Sequence, residues 1–145
     1  MAILVSTDKI KDTAECLEAG MVCWYHIPTK EVLSAPDRTK DFYMDEEIWE
    51  DTFNEIDEKM HECIVFKALD SHEEFRIMES FAENEVADPG LRSRLIYALN
   101  QRKPFMHFKS AIHYESDYLK VWYAFKTQCY MDRVQKTFAY YNSKI

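Results

Sequence analysis

Apolar side chains recur at spacings of four and three in residues 7–19, at Ile10, Ala14 and Leu17. This predicts an amphipathic helix, and Gly20 follows where a left-handed residue would close it. Met21–Ile27 then reads M-V-C-W-Y-H-I, a run of strand-forming residues, followed by P-T-K-E and by Val32–Ala35. Pro28 suits the first corner of a turn, so the pattern is that of a hairpin. Residues 36–43 carry no clear period and read as a connecting loop. A helical period returns over 45–60, with Trp49, Phe53, Ile56 and Met60 as the apolar stripe. Glu46, Glu47, Glu50, Asp51, Asp57 and Glu58 cover much of the remaining surface. Cys63–Leu69 is a short apolar run that predicts a third strand.

Ser71, with Glu74 three residues on, forms a capping-box pattern for a helix through about Val86. Phe75, Met78, Phe81 and Ala82 share one of its faces. Asp88 is placed to cap the next helix, with Pro89 in its first turn and Leu91, Leu95, Ile96 and Leu99 facing the core. Pro104 opens a short helix whose buried face is Phe105, Phe108 and Ile112, while Met106 and His107 point elsewhere. A last helix starts at Asp117 and runs to about residue 142. On it Tyr118, Val121, Trp122, Phe125 and Cys129 form one apolar face. Tyr130, Val134, Phe138 and Tyr141 form another, roughly 160° away around the axis. One straight helix cannot bury both faces against one neighbour. Either it breaks near Cys129–Asp132, or its second half packs on the β-layer of the same chain or on a second subunit. The element order αββαβαααα predicts one α+β domain over residues 1–145. It combines a small three-stranded antiparallel sheet near the N-terminus with a mostly helical C-terminal two-thirds.

Composition narrows this further. With 145 residues, 47% of them hydrophobic and 30% charged, the chain can bury a core. Only 2 residues are glycine, which argues against an all-β fold and against glycine-rich phosphate loops. The net charge of −8 is unevenly placed. Residues 1–90 carry 23 Asp+Glu and 8 Lys+Arg, whereas residues 91–145 carry 3 and 10. Either the second part presents a basic face to an anionic ligand, or the two parts pack together and neutralise each other. Arg102, Lys103, His107 and Lys109 are the candidate partner- or anion-binding residues. The stretch N-Q-R-K-P-F-M-H-F-K interleaves cations with rings, as nucleic-acid binders do, but Phe105 and Phe108 are accounted for as core. No run of 18 apolar residues offers a membrane span. The start M-A-I-L-V-S lacks the basic region of a signal peptide, and Cys16, Cys23, Cys63 and Cys129 form no close pair in sequence. Together these favour reduced thiols and a cytoplasmic setting.

Patterns that carry chemistry are sparse. No nucleophile elbow, phosphate-binding loop, HExxH or dinucleotide-binding fingerprint occurs. His61 and Cys63 would share a face if both lay in a strand, but two ligands do not make a metal site. His72 with its glutamates reads as a helix start. The sequence therefore names no catalytic residue, metal ligand or cofactor. The leading expectation is a non-enzymatic module that binds a protein partner or itself, with Tyr130, Val134, Phe138 and Tyr141 as self-association candidates. Binding of nucleic acid or another anion through the basic helices is the alternative, and an enzyme with an unrecognised site is a third.

One combination is more specific than these. The pattern Met78-x-x-Phe81, Leu95-x-x-Ala98-Leu99, Lys103-Pro104-Phe105-x-x-Phe108-Lys109 and Trp122-x-x-Phe125 resembles a small bacterial family, the uncharacterised protein family number one hundred fifty-eight. The resemblance is most specific over residues 75–128. It implies a bacterial origin, a cytoplasmic setting and an α+β domain, and it transfers no catalytic or binding residue.

Overall fold

The computed structural model describes residues 2–40 and 45–144. Among these, α1 (Thr7–Glu18) leads into β1 (Met21–His26) and β2 (Val32–Pro36). There follow α2 (Glu46–Lys59), one 3-10 turn (Met60–Glu62) and β3 (Cys63–Phe66). The rest is helical: α3 (Ser71–Asn84), α4 (Pro89–Leu99), α5 (Pro104–His113) and α6 (Ser116–Asn142). The expected α+β order is realised. The predicted loop at 36–43 lies partly outside the described residues. Its first part is an Asx-turn, in which the Asp37 carboxylate accepts from the Thr39 N–H at 2.9 Å.

The chain divides into two units. One comprises the residues up to Ala68 together with those from Tyr130 on, and the other is Leu69–Cys129. In the first, α1 ends as its sequence dictates: Gly20 takes a φ of 85° and donates its N–H to the Leu17 carbonyl at 3.0 Å. A side chain at that φ would meet its own backbone, which glycine avoids. The reversal feeds directly into β1, the central strand of an antiparallel sheet ordered β2-β1-β3. Trp24 pairs with Leu33 on one side and with Val65 on the other. The near-continuous apolar run of β1 is explained by burial on both faces, which removes the need for alternation. On one face Val22, Trp24 and Ala35 meet Phe53 and Ile56 of α2. On the other, Cys23 faces Thr13 of α1, and Tyr25 and Phe66 meet Phe138 of α6 at ring separations of 5.0 and 5.2 Å. Burying one such ring contributes about 2 kcal/mol.

The second unit is helical. Its core joins Met78, Phe81 and Ala82 of α3 to Leu91, Leu95 and Leu99 of α4, Phe108 and Ile112 of α5, and Trp122 of α6. Phe81 is the hub, with its ring 5.2 Å from Trp122 and 5.5 Å from Phe125. The cap of α3 corrects the capping-box expectation. Asp70, not Ser71, is the capping residue, and its carboxylate accepts from the Glu73 N–H at 2.8 Å. An anionic cap suits a helix N-terminus, and Ser71 becomes the first helical residue. Three stripe positions are also corrected: Met60, Ile96 and Val121 are exposed. Met60 falls in the 3-10 turn after α2, and on α4 the buried position is Ala98 instead of Ile96.

Candidate partner interface

The four basic-segment candidates lie on and just before α5. Lys103 is left-handed, with a φ of 54°, and stands immediately before Pro104. A residue before proline is pushed towards extended backbone, and a non-glycine residue at positive φ is uncommon, so this junction is strained. It sets the start of α5, whose first turn has no side-chain cap. Arg102, Lys103 and Lys109 are exposed, and His107 is half-buried. Among the described residues no ion pair engages any of the four. Two other cations of the same stretch are tied into the fold. Arg92 donates through Nε and Nη2 to the Val86 carbonyl at 3.1 and 2.9 Å, and Arg94 pairs with Glu115 at 3.0 Å.

Charge within the helical unit is balanced. Leu69–Cys129 holds 8 Lys+Arg and 9 Asp+Glu, because the acidic α3 packs with the basic α4–α6. Of the two readings of the charge asymmetry, neutralisation describes this unit better than a wholly basic face. What remains distinctive is local. Ile77 and Met78 of α3, Phe105 of α5 and Trp122 of α6 form the floor of a shallow apolar depression. Glu74, Lys109 and Lys126 stand around it. Lys109 is one helical turn from Phe105, and Lys126 is one turn from Trp122, so each lysine rises beside a ring of the floor. Lys126, like Lys109, has no ion-pair partner among the described residues. The Phe105/Lys109 spacing is visible in the sequence. The part played by Lys126 is not, because it depends on which face of α6 meets α3 and α5.

The four self-association candidates divide. Tyr130, Val134 and Phe138 are buried in the chain's own sheet-containing unit, one of the two seats left open by the helical periodicity. Only Tyr141 is exposed. α6 runs unbroken through residues 129–132. The next residue after Tyr141, Asn142, closes a two-bond clamp. Its Oδ1 accepts from the Ile3 N–H at 2.6 Å, and its Nδ2 donates to the Ile3 carbonyl at 3.0 Å.

One constellation has catalytic residue types, and its geometry speaks against that use. His26 and Cys63 are cross-strand partners. The His26 ring has both nitrogens occupied, Nδ1 at 2.7 Å from Thr29 Oγ1 and Nε2 at 3.3 Å from Glu62 Oε1. No ring nitrogen is left to take a proton from Cys63, whose thiol instead donates to the Lys59 carbonyl at 3.3 Å. Burial first, and then the Glu62 charge, push that thiol up, with Lys59 opposing. An activated nucleophile needs the reverse. His61, expected to share a strand face with Cys63, lies in the 3-10 turn instead. His72 Nε2 accepts from Arg76 Nε at 3.2 Å, one turn along α3. Among the described residues, no three His, Cys, Asp or Glu side chains gather as a metal site, and no helix is long and apolar enough to cross a membrane.

No curated protein and no solved structure matches the chain. Residues 40–139, from before α2 to near the end of α6, match a family model described as Uncharacterised protein family (UPF0158). That span contains the K-P-F-x-x-F-K segment, the aromatic hub around Phe81 and both flanking lysines of the depression. The chain belongs to this uncharacterised family.

Proposed function

We propose that this protein is a non-enzymatic interaction module of the cytoplasm, and that its partner is a protein segment carrying an apolar side chain between carboxylates. The observation that carries the reading is the apolar depression of α3, α5 and α6, with Lys109 and Lys126 beside it, neither in an ion pair among the described residues. An apolar floor rewards burial of a side chain, while flanking cations reward acidic neighbours and reject basic ones. Self-association through Tyr130, Val134 and Phe138 is not part of the proposal, since those side chains are already spent on the fold.

A second reading has its own observation. The start of α5, without a side-chain cap, lies beside the exposed Arg102 and Lys103, which have no ion pair among the described residues, an arrangement that favours phosphate. Lys109 serves both readings, so it cannot separate them. Anisotropy titrations with two probes can: a short acidic peptide centred on Leu or Phe, and a single-stranded RNA oligomer. Peptide binding that is lost in Lys126→Glu and kept in Arg102→Glu/Lys103→Glu supports the module. RNA binding that falls steeply with salt, with the opposite pattern of mutants, supports the second reading. If neither probe binds near 50 mM salt, about the low end where charge attraction is strongest, both are removed.

A further inference from the structure

On α2, one apolar side chain is left out of the chain's own core. Ile48 lies roughly 110° around the helix axis from the centre of the stripe formed by Trp49, Phe53 and Ile56, and it is 72% exposed. Asp45, the capping residue, stands one turn before it and Asp51 one turn after, on the same side of the helix. Neither carboxylate is in an ion pair among the described residues. Of the exposed large apolar side chains on the described α-helices, only Ile48 has a carboxylate one turn away in both directions. Residues 45–59 hold eight carboxylates and a single lysine, so this helix is drawn to cations and repels another copy of itself. The depression of α3, α5 and α6 has the complementary pattern, with Phe105 and Trp122 in its floor and Lys109 and Lys126 beside them. Glu74 occupies the α3 side of the rim, which confines incoming carboxylates to the lysine-bearing sides of α5 and α6.

We infer that the segment this depression takes is α2 of a second copy of the chain. The inference rests on the reading of the depression as a seat for an apolar side chain between carboxylates, and it names the chain that supplies both. Ile48 of one copy seats on the ring floor of the other, and Asp45 and Asp51 meet Lys109 and Lys126. A shallow floor suits a single anchoring side chain, and Ile48 is presented singly, with Glu47 beside it and Thr52 one turn on. Repulsion between two acidic α2 helices disfavours their pairing with each other, so the contact joins two different surfaces. Each copy then offers one anchor and one seat, a head-to-tail arrangement whose two halves can be damaged separately. Charge attraction makes the association sensitive to salt, while the buried anchor holds it together.

The test is sedimentation velocity of the full chain at low salt, from about 1 μM to about 1 mM, the weak end of specific binding. The expected result is a sedimentation coefficient that rises with concentration and falls back as salt is added. Ile48→Ser removes the anchor and Lys126→Glu damages the seat, so each variant alone should associate at least about 10-fold more weakly. Mixed together, the two should associate again and stop at one-to-one complexes, since the first keeps its seat and the second its anchor. That recovery also shows that both variants are folded. Association that persists in Ile48→Ser would overturn the inference. So would variants that keep their far-ultraviolet circular dichroism yet do not recover on mixing, or a parent chain that stays monomeric throughout. In the last case the short acidic peptide separates the two readings. Peptide binding that depends on Lys126 leaves the depression as a seat for a foreign acidic segment, whereas no peptide binding removes the seat as well.

Discussion

Arg38 shows how one side chain can join two kinds of attraction. Its guanidinium donates through Nη2 and Nη1 to the Asp57 carboxylate at 2.8 and 3.3 Å, and its Cζ stands 4.2 Å from the centre of the Phe53 ring. The fork matches a carboxylate, and the flat cation matches a ring face, so lysine could satisfy neither geometry as well. Hydrogen bonding to Arg38, and secondarily its charge, hold the Asp57 carboxyl below its ordinary value of 3.8. A carboxyl depressed in the folded state stabilises the fold above its unfolded value, and that contribution disappears as pH falls through the depressed one. The thermal midpoint of Asp57→Asn should therefore lie below that of the parent at about pH 6, with the gap closing as pH falls below the ordinary carboxyl value. A gap independent of pH would mean that Asp57 acts through something other than its charge. Both partners are solvent-exposed, so the gap should be small and should shrink in salt. The sequence placed Phe53 in a stripe and Asp57 on the acidic cover, but it could not link either to Arg38. That contact joins the loop after β2 to α2, and periodicity within one element is blind to it.

At the scale of elements, the legible features were those decided locally. Gly20 ended α1 because only glycine takes that φ cheaply, and Asp88 with Pro89 opened α4 as their chemistry requires. The start of α3 was misread by one residue because two capping chemistries overlap at Asp70 and Ser71. The outcome is physically decidable. Asp70→Ala removes a charged acceptor from the Glu73 N–H and should cost about 1 kcal/mol in a denaturant titration. Ser71→Ala, at the first helical position, should change stability by less than about 0.5 kcal/mol. Equal losses would restore the capping-box reading. The misplaced stripe residues have a different cause. Ile96 and Val121 fit their helices' apolar arcs, but an arc shows only what can be buried, while the neighbouring helices decide how much is. The candidate site was less legible: Lys109 stood among the cation candidates and Phe105 was assigned to the core, but their joint place beside a depression, and the lysine across it, depend on how α3, α5 and α6 pack.

At the scale of the whole chain, the two units are unequal in connectivity. The helical unit, Leu69–Cys129, is one continuous stretch, and its core needs only the first half of α6. The sheet-containing unit is discontinuous: its strands come from before Ala68, while Tyr130, Val134 and Phe138 arrive from after the helical unit. The 160° offset between the two apolar faces of α6 was the sequence-level trace of this arrangement, since each face serves a different core. It follows that removal of the chain after Cys129 should not be felt evenly. Without Phe138, the rings of Tyr25 and Phe66 lose their edge and tilted contacts, and without Asn142, Ile3 loses both of its backbone partners. Losing a buried phenylalanine alone typically costs about 3–5 kcal/mol, a large part of an ordinary domain's stability. The truncated protein should therefore lose amide-exchange protection in β1 and β3. Protection in α3 and α4, and the buried emission of Trp122 in a variant whose Trp24 and Trp49 are phenylalanine, should survive. Loss of protection throughout would instead show that the two units fold as one cooperative body. Protection retained in β1 would show that α1 and α2 suffice to hold the sheet.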